Sequence, residues 1–184
     1  FLLLSITSLL ALINPIGIIP TYIGLLGDHD SEEHKNITYR AILCAFIVLM
    51  TFSIMGNLIF NFFGITMDAF RIVGGILFMR IGLDMVESKI SRTKSTPKEE
   101  KEAESKDEIA YSPLGVPLIA GPGAITSVMI LSNQVNSLNE KLLFILSIVI
   151  CMILTYIALI MGNRLSKKIG TTGIRIIQRL MGII

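Results

Sequence analysis

Apolar residues run through this chain in long unbroken blocks, without the alternation of a strand or the one-faced spacing of a surface helix. Six blocks can be drawn: 1–27, 41–63, about 67–88, about 112–133, 142–162, and a last one from near 174 onward. The longest reach the roughly 20 residues that a helix needs to cross the hydrocarbon of a bilayer. The pattern predicts an all-α membrane protein of six transmembrane helices. The first block is too long for the apolar part of a signal peptide and lacks a small-residue cleavage pattern behind it, so it reads as a retained helix. With its start at Phe1 and its stop at Ile184 inside an apolar run, the chain reads as trimmed at both ends.

The polar stretches between the blocks fix an orientation. Under simple spanning, loops 28–40, 89–111 and 163–175 share one side and carry twelve Lys and Arg, while the other side carries only Arg71 and Lys141. Lys and Arg accumulate in cytoplasmic loops, so the twelve are placed in the cytoplasm and both termini outside. If the first and fourth blocks were re-entrant hairpins, the contrast would fall to nine against five, and full spanning is preferred. The stretch from Glu87 to Glu108 mixes six bases with seven acids and has no apolar period. It reads as a solvated tether, with some helix within Lys98–Glu108.

The two halves carry matching motifs in the same order. Asn14-Pro15-Ile16-Gly17 answers Gly121-Pro122-Gly123-Ala124, Met55-Gly56-Asn57 answers Met161-Gly162-Asn163, and Arg71-Ile72-Val73-Gly74 answers Arg179-Leu180-Met181-Gly182. Pro15 and Pro122, Gly56 and Gly162, and Arg71 and Arg179 lie 107, 106 and 108 positions apart, and Cys44 and Cys151 again 107. An odd number of spans per copy sends the second copy into the membrane from the opposite side. The expected organisation is one membrane domain: an inverted repeat at 1–90, a charged cytoplasmic linker at 91–111, and a second repeat at 112–184.

In each copy a proline falls midway along the first apolar block. Proline removes a backbone donor and clashes with the carbonyl four residues back, and glycine lowers the cost of unwinding, so both helices are expected to break near mid-bilayer. Polar backbone at that depth is tolerated only where protein buries it or where it lines a cavity. A half-helix starting at Pro15, capped by Asn14, would present the N–H groups of Ile16, Gly17 and Ile18, with Thr21 a turn further on. The second half-helix would present those of Gly123, Ala124 and Ile125, with Thr126 next. Two positive helix ends facing one region suit a carboxylate. The carbonyls open before the breaks, around Leu12, Ile13, Ile119 and Ala120, suit an ammonium, so one site could hold a small zwitterion. Against this stands the plain reading that each proline merely kinks a membrane helix.

Other polar groups carry less. Ser127, Asn57 and Asn61 could complete the site, although such groups serve more often as hydrogen-bonding glue between helices. Arg80 and Asp84, one turn apart, are expected to pair with each other; Asp84 is also the candidate for a coupling proton. Arg71 and Arg179 read as anchors at helix starts. Composition, at 52% hydrophobic and 16% charged, fits lipid as the solvent, and bases intermixed with acids leave no stripe to bind nucleic acid. Both cysteines lie in apolar runs and read as inert thiols. His29 and His34, the only histidines, sit in the 28–40 loop beside Asp28, Asp30, Glu32 and Glu33, where a solvated loop is preferred to a metal site.

Asn14-Pro15-Ile16-Gly17 followed by Pro20, Phe70-Arg71-Ile72-Val73-Gly74-Gly75-Ile76-Leu77 leading to Gly82-Leu83-Asp84-Met85, and Pro117 through Ile125 resemble the signature segments of the MarC family, also called the small neutral amino acid transporter family. The resemblance covers essentially the whole chain. It implies a bacterial or archaeal inner-membrane protein of six spans and, for some members, ion-coupled movement of small neutral amino acids such as glycine and alanine. Coupling to H+ or Na+ without a bound cofactor or metal is the corresponding expectation. Arg80 departs from the pattern, where an apolar residue is expected. The resulting expectation is a secondary transporter or exporter working by alternating access, not an enzyme. The alternative is a membrane-embedded enzyme of lipid phosphate metabolism, which would need clustered acids, histidines or an activated nucleophile. A third reading, a scaffold without transport, leaves paired helix breaks without a purpose.

Overall fold

The computed structural model describes residues 1–26, 31–87, 106–135 and 137–183, and among them all regular structure is helical. Helices α1 (Leu2–Ile13) and α2 (Pro15–Leu26) follow one another across Asn14, and α3 (Ser31–Phe63) and α4 (Met67–Val86) complete the first half. In the second half a short α5 (Lys106–Ile109) leads into α6 (Ala110–Ile119), followed by α7 (Pro122–Asn133), α8 (Leu138–Ile160) and α9 (Gly162–Ile183). Most of the expected tether, together with Asp28, His29 and Asp30, lies outside the described residues.

Both expected breaks are present at the expected prolines. At the first, Asn14 adopts a left-handed conformation (φ 50, ψ 64) and its N–H donates to the Leu10 carbonyl at 2.8 Å, which closes α1. Pro15 then opens α2, where its fixed φ and missing donor cost nothing. At the second, Gly121 is extended (φ −79, ψ 168) and Pro122 opens α7, with α6 and α7 bent by 58°. The approach to this break is less regular than a half-helix. Ser112 and Val116 are extended because each precedes a proline, and the turn before the break widens into a bond from Ala120 N–H to the Gly115 carbonyl at 2.9 Å.

By length and composition three helical runs qualify as membrane spans: Leu2–Leu26, Glu32–Gly56 and Leu138–Ile160, with the bent pair α6 and α7 making a fourth. The other two expected blocks are helices as well. Helix α4 carries Asp68, Arg71, Arg80 and Asp84 along its 20 residues, and α9 begins in a run of bases, so neither reaches the apolar density of the four.

Two stretches expected to be loops are helical. Helix α3 starts at Ser31 and its 33 residues extend about 50 Å, longer than the ~30 Å hydrocarbon, so the polar 31–40 stretch is continuous helix and not loop. Glu32 and Glu33 in its first turn complement the positive helix end. Residues 163–175 are helical too, apart from Gly170, whose φ of 69 and ψ of 170 divide α9 into two pieces. The turn before α4 contains Gly64, with a φ of 65, and Thr66 caps α4 by accepting from Ala69 N–H at 3.2 Å. Ser137 and Glu140 form a reciprocal capping box at the start of α8.

The broken helices form the middle of the molecule. Leu9, Ile13, Ile19, Tyr22, Leu114, Ile119, Ala124 and Val128 are buried among Ala41, Ala45 and Leu49 of α3 and Ile148, Cys151 and Leu159 of α8. Lipid tails are as apolar as these side chains, so close fit holds the helices together. Small residues permit that fit: a methyl on Gly182 of α9 would lie 2.7 Å from the Gly82 carbonyl oxygen of α4. Hydroxyls inside the helices turn back on their own backbone, with Ser147 donating to the Phe144 carbonyl at 2.6 Å and Thr155 to that of Cys151 at 2.7 Å.

Candidate functional site

The first break closes on itself. The Asn14 side chain is buried and its Oδ1 accepts from Gly17 N–H at 3.2 Å, while the Asn14 carbonyl accepts from Ile18 N–H at 3.2 Å. Asn14 is therefore the cap that the sequence predicts, and it takes up two of the three donors expected to face a ligand. Gly17 is required by that cap, because a methyl at this position would overlap the Asn14 carboxamide.

The second break is left open. Gly121 has no side chain with which to cap α7, and its carbonyl accepts from Ile125 N–H at 3.0 Å. Among the described residues none accepts a hydrogen bond from Gly123 or Ala124 N–H. Both residues are buried at the start of a helix whose dipole favours negative charge.

The two breaks meet. A methyl built on Gly123 would lie 3.4 Å from Leu12 Cδ2, two residues before Asn14, and 2.8 Å from Ile81 Cδ1 of α4. Leu12 and Ile81 also line a cleft of about 440 Å3 between α1, α4 and α9, shared with Ser8, Ala11, Gly82 and Gly182. One face of this apolar pair thus looks into the cleft and the other covers Gly123. In the sequence Ile81 is one apolar residue among many, and Leu12 is expected only for its carbonyl, not for this side-chain contact.

Of the other candidates, Pro15, Gly121 and Thr126 are buried, Ile16 and Thr21 are half-buried, and Pro122 is exposed. Thr126 turns its methyl toward α4, where a Cβ on Gly74 would come within 2.8 Å of Thr126 Cγ2. Ser127 is buried, Asn61 is exposed, and the side chain of Asn57 lies outside the described residues. The lining of the cleft passes from Leu83 to Met85 without Asp84, which is half-buried on another face of α4. The expected Arg80–Asp84 pair does not form. With Arg placed N-terminal to Asp, the order is the weaker one for a pair one turn apart, while Arg71 and Asp68 on the same helix do pair, at 3.5 Å. His34 lies on α3 with its ring edge-on to Tyr22 at 6.1 Å, and no group of three His, Cys, Asp or Glu among the described residues could hold a metal.

An all-helical bundle whose described residues include three apolar runs long enough to span, with a bent pair that can make a fourth, has the architecture of an integral membrane protein. A family model described as MarC family integral membrane protein matches residues 1–184. A UPF0056 membrane protein of Methanocaldococcus jannaschii is 40% identical over all of this chain and 81% of its own length. UPF0056 membrane proteins of Aquifex aeolicus and Bacillus subtilis are 36% and 35% identical over 96% of the chain, covering 83% and 84% of their lengths. No solved structure matches. The chain belongs to the MarC family of integral membrane proteins.

Proposed function

We propose that this protein is a secondary transporter or exporter of small neutral amino acids, built from two inverted repeats that alternate access to a site between the helix breaks. The observation that carries the reading is the meeting of the breaks, with two buried N–H groups at Gly123 and Ala124 that find no acceptor among the described residues. A substrate carboxylate of glycine or alanine size satisfies those donors, and a larger side chain is refused by Leu12 and Ile81.

Contacts exchanged between the halves support the repeat. Gly56 of α3 faces Met129 of α7, and Gly162 of α9 faces Ile19 and, slightly further off, Tyr22 of α2; Gly56 and Gly162 are 106 positions apart, and Tyr22 and Met129 are 107. The positive-φ residues Gly64 and Gly170 are 106 apart, one between α3 and α4 and the other inside α9. Helix α3 packs on α6 and α7, while α8 packs on α1 and the start of α9 on α2. A two-fold operation produces this swapped pairing, and an odd number of spans per repeat inverts the copies. In this reading α4 and α9 supply the third helix of each repeat.

Uptake of labelled glycine and alanine into proteoliposomes, with H+ or Na+ gradients imposed in turn, tests the function. Accumulation above protein-free vesicles, raised by one of the gradients, is the expected result; background uptake of every small neutral amino acid under both would remove the proposal. We further propose an inner-membrane location with both termini outside, an orientation that the distribution of Lys and Arg supports. A cysteine in place of Ser95 should therefore be shielded from an impermeant thiol reagent in intact cells, and one in place of Asn139 should label. The reverse pattern would invert the topology.

A further inference from the structure

Helices α3 and α8 leave a groove of about 440 Å3 between them, lined by Ile42, Leu43, Phe46, Val149, Met152 and Ile153 along its length and by Tyr39 and Tyr156 at one end. Those two tyrosines also line a cavity of about 530 Å3 whose remaining walls are Glu32, Glu33, Lys35 and Asn36. An apolar channel and a charged mouth are thus continuous through a pair of aromatic residues.

We propose that this feature is a binding site for a phospholipid whose headgroup carries a primary ammonium. Tyrosine favours the headgroup level of a bilayer, which sets the mouth at the interface and the groove in the hydrocarbon. From Tyr39 to Phe46 the groove runs about 10 Å along α3, enough for the upper part of one acyl chain. Leu43 and Ile153 are exposed at its edges, so the groove opens outward where lipid can enter. The charges select the headgroup: Lys35 and Asn36 are donors for a phosphodiester, and Glu32 and Glu33 are acceptors for an ammonium. A lipid with phosphate alone brings no ammonium to Glu32. A quaternary ammonium has no N–H to give them. The helix dipole accounts for acids in the first turn of α3, but it does not account for an apolar groove ending at them.

Native mass spectrometry of the purified full chain tests the site, with palmitoyl-oleoyl phosphatidylethanolamine, phosphatidylcholine and phosphatidylglycerol added separately. The ethanolamine lipid should form a one-to-one adduct at about tenfold lower concentration than either of the others. In the Glu32→Gln, Glu33→Gln double variant the ethanolamine and choline lipids should bind within about twofold of each other. Leu43→Trp, at an exposed groove position, should weaken all three, with thermal melting confirming that each variant is folded. Equal binding of the three lipids by the unaltered protein, or adducts unchanged in both variants, would overturn the proposal. So would a dimer that forms at the expense of the lipid adduct, since a second copy would then occupy the groove.

Discussion

Gly123→Leu is expected to abolish transport while leaving protein in the membrane. A methyl alone at this position would stand 2.8 Å from Ile81 Cδ1 and 3.4 Å from Leu12 Cδ2. The first neighbour is the tip of a flexible side chain, so Gly123→Ala can be absorbed by rotation of Ile81 and should slow transport without ending it. A leucine adds three further carbons in the same direction, toward the contact between α1, α4 and α7. Forcing extra methylenes into a packed interior costs about 1–3 kcal/mol, which a protein held by several other helix contacts survives. The carboxylate proposed at the Gly123 and Ala124 N–H groups would compete with the added leucine for the same contact. Adding Ile81→Ala to Gly123→Ala should restore much of the lost rate, because it removes the atom that the new methyl strikes. Wild-type uptake by Gly123→Leu would separate the break from the transport path.

At Asn14 the larger effect falls on stability. The residue combines a left-handed backbone, a buried side chain and a cap on Gly17 N–H. Asn14→Ala loses the cap, worth about 0.5–2 kcal/mol, and with it the local hydrogen bonding that lets asparagine tolerate a left-handed backbone in spite of the Cβ that both residues carry. Asn14→Gly loses the cap and keeps the backbone at ease, so it should be the milder change. Unfolding in mixed detergent micelles should rank the unaltered protein first, Asn14→Gly second and Asn14→Ala last. Gly17→Ala should resemble Asn14→Ala, since its methyl overlaps the carboxamide. An Asn14→Ala protein as stable as Asn14→Gly would show that the backbone relaxes out of the left-handed region when the cap is lost.

Much of this arrangement is readable from sequence, because proline acts locally. Pro15 and Pro122 each set a break at their own position, and Asn14 is a good cap wherever it precedes a helix start. The ends of α4 and α8 fall within a few residues of the hydropathy blocks for the same local reason, since caps such as Thr66 and Ser137 mark them. The start of α3 is missed because hydropathy finds the lipid boundary, and a helix that continues into water carries Glu32, His34, Lys35 and Arg40 without ending. Ser31 before two acids is the start signal that was available. The irregular α6 was also legible in principle, as Pro113 and Pro117 each forbid helix at the preceding residue. The side-chain contacts of Leu12 and Ile81 at Gly123 are different: they come from three chain segments meeting, and no local pattern points to them. The asymmetry between the capped and the open break is tertiary in part too. Asn14 and Gly121 each precede the proline of a break, but it takes the fold to show that Asn14 spends its oxygen on Gly17 and that, among the described residues, none takes the N–H groups of Gly123 and Ala124.

The central claim is that those two N–H groups receive the carboxylate of a small amino acid. Competition against labelled glycine in proteoliposomes tests it most directly, with unlabelled alanine in one arm and alanine methyl ester in the other. The two competitors share the ammonium and the methyl side chain and differ in the anionic carboxylate. Alanine should inhibit uptake and the ester should fail to inhibit at the same concentration, because a neutral ester gives the helix end little to bind. Equal inhibition by the ester would contradict a carboxylate site at the second break and leave the paired breaks as hinges or packing features.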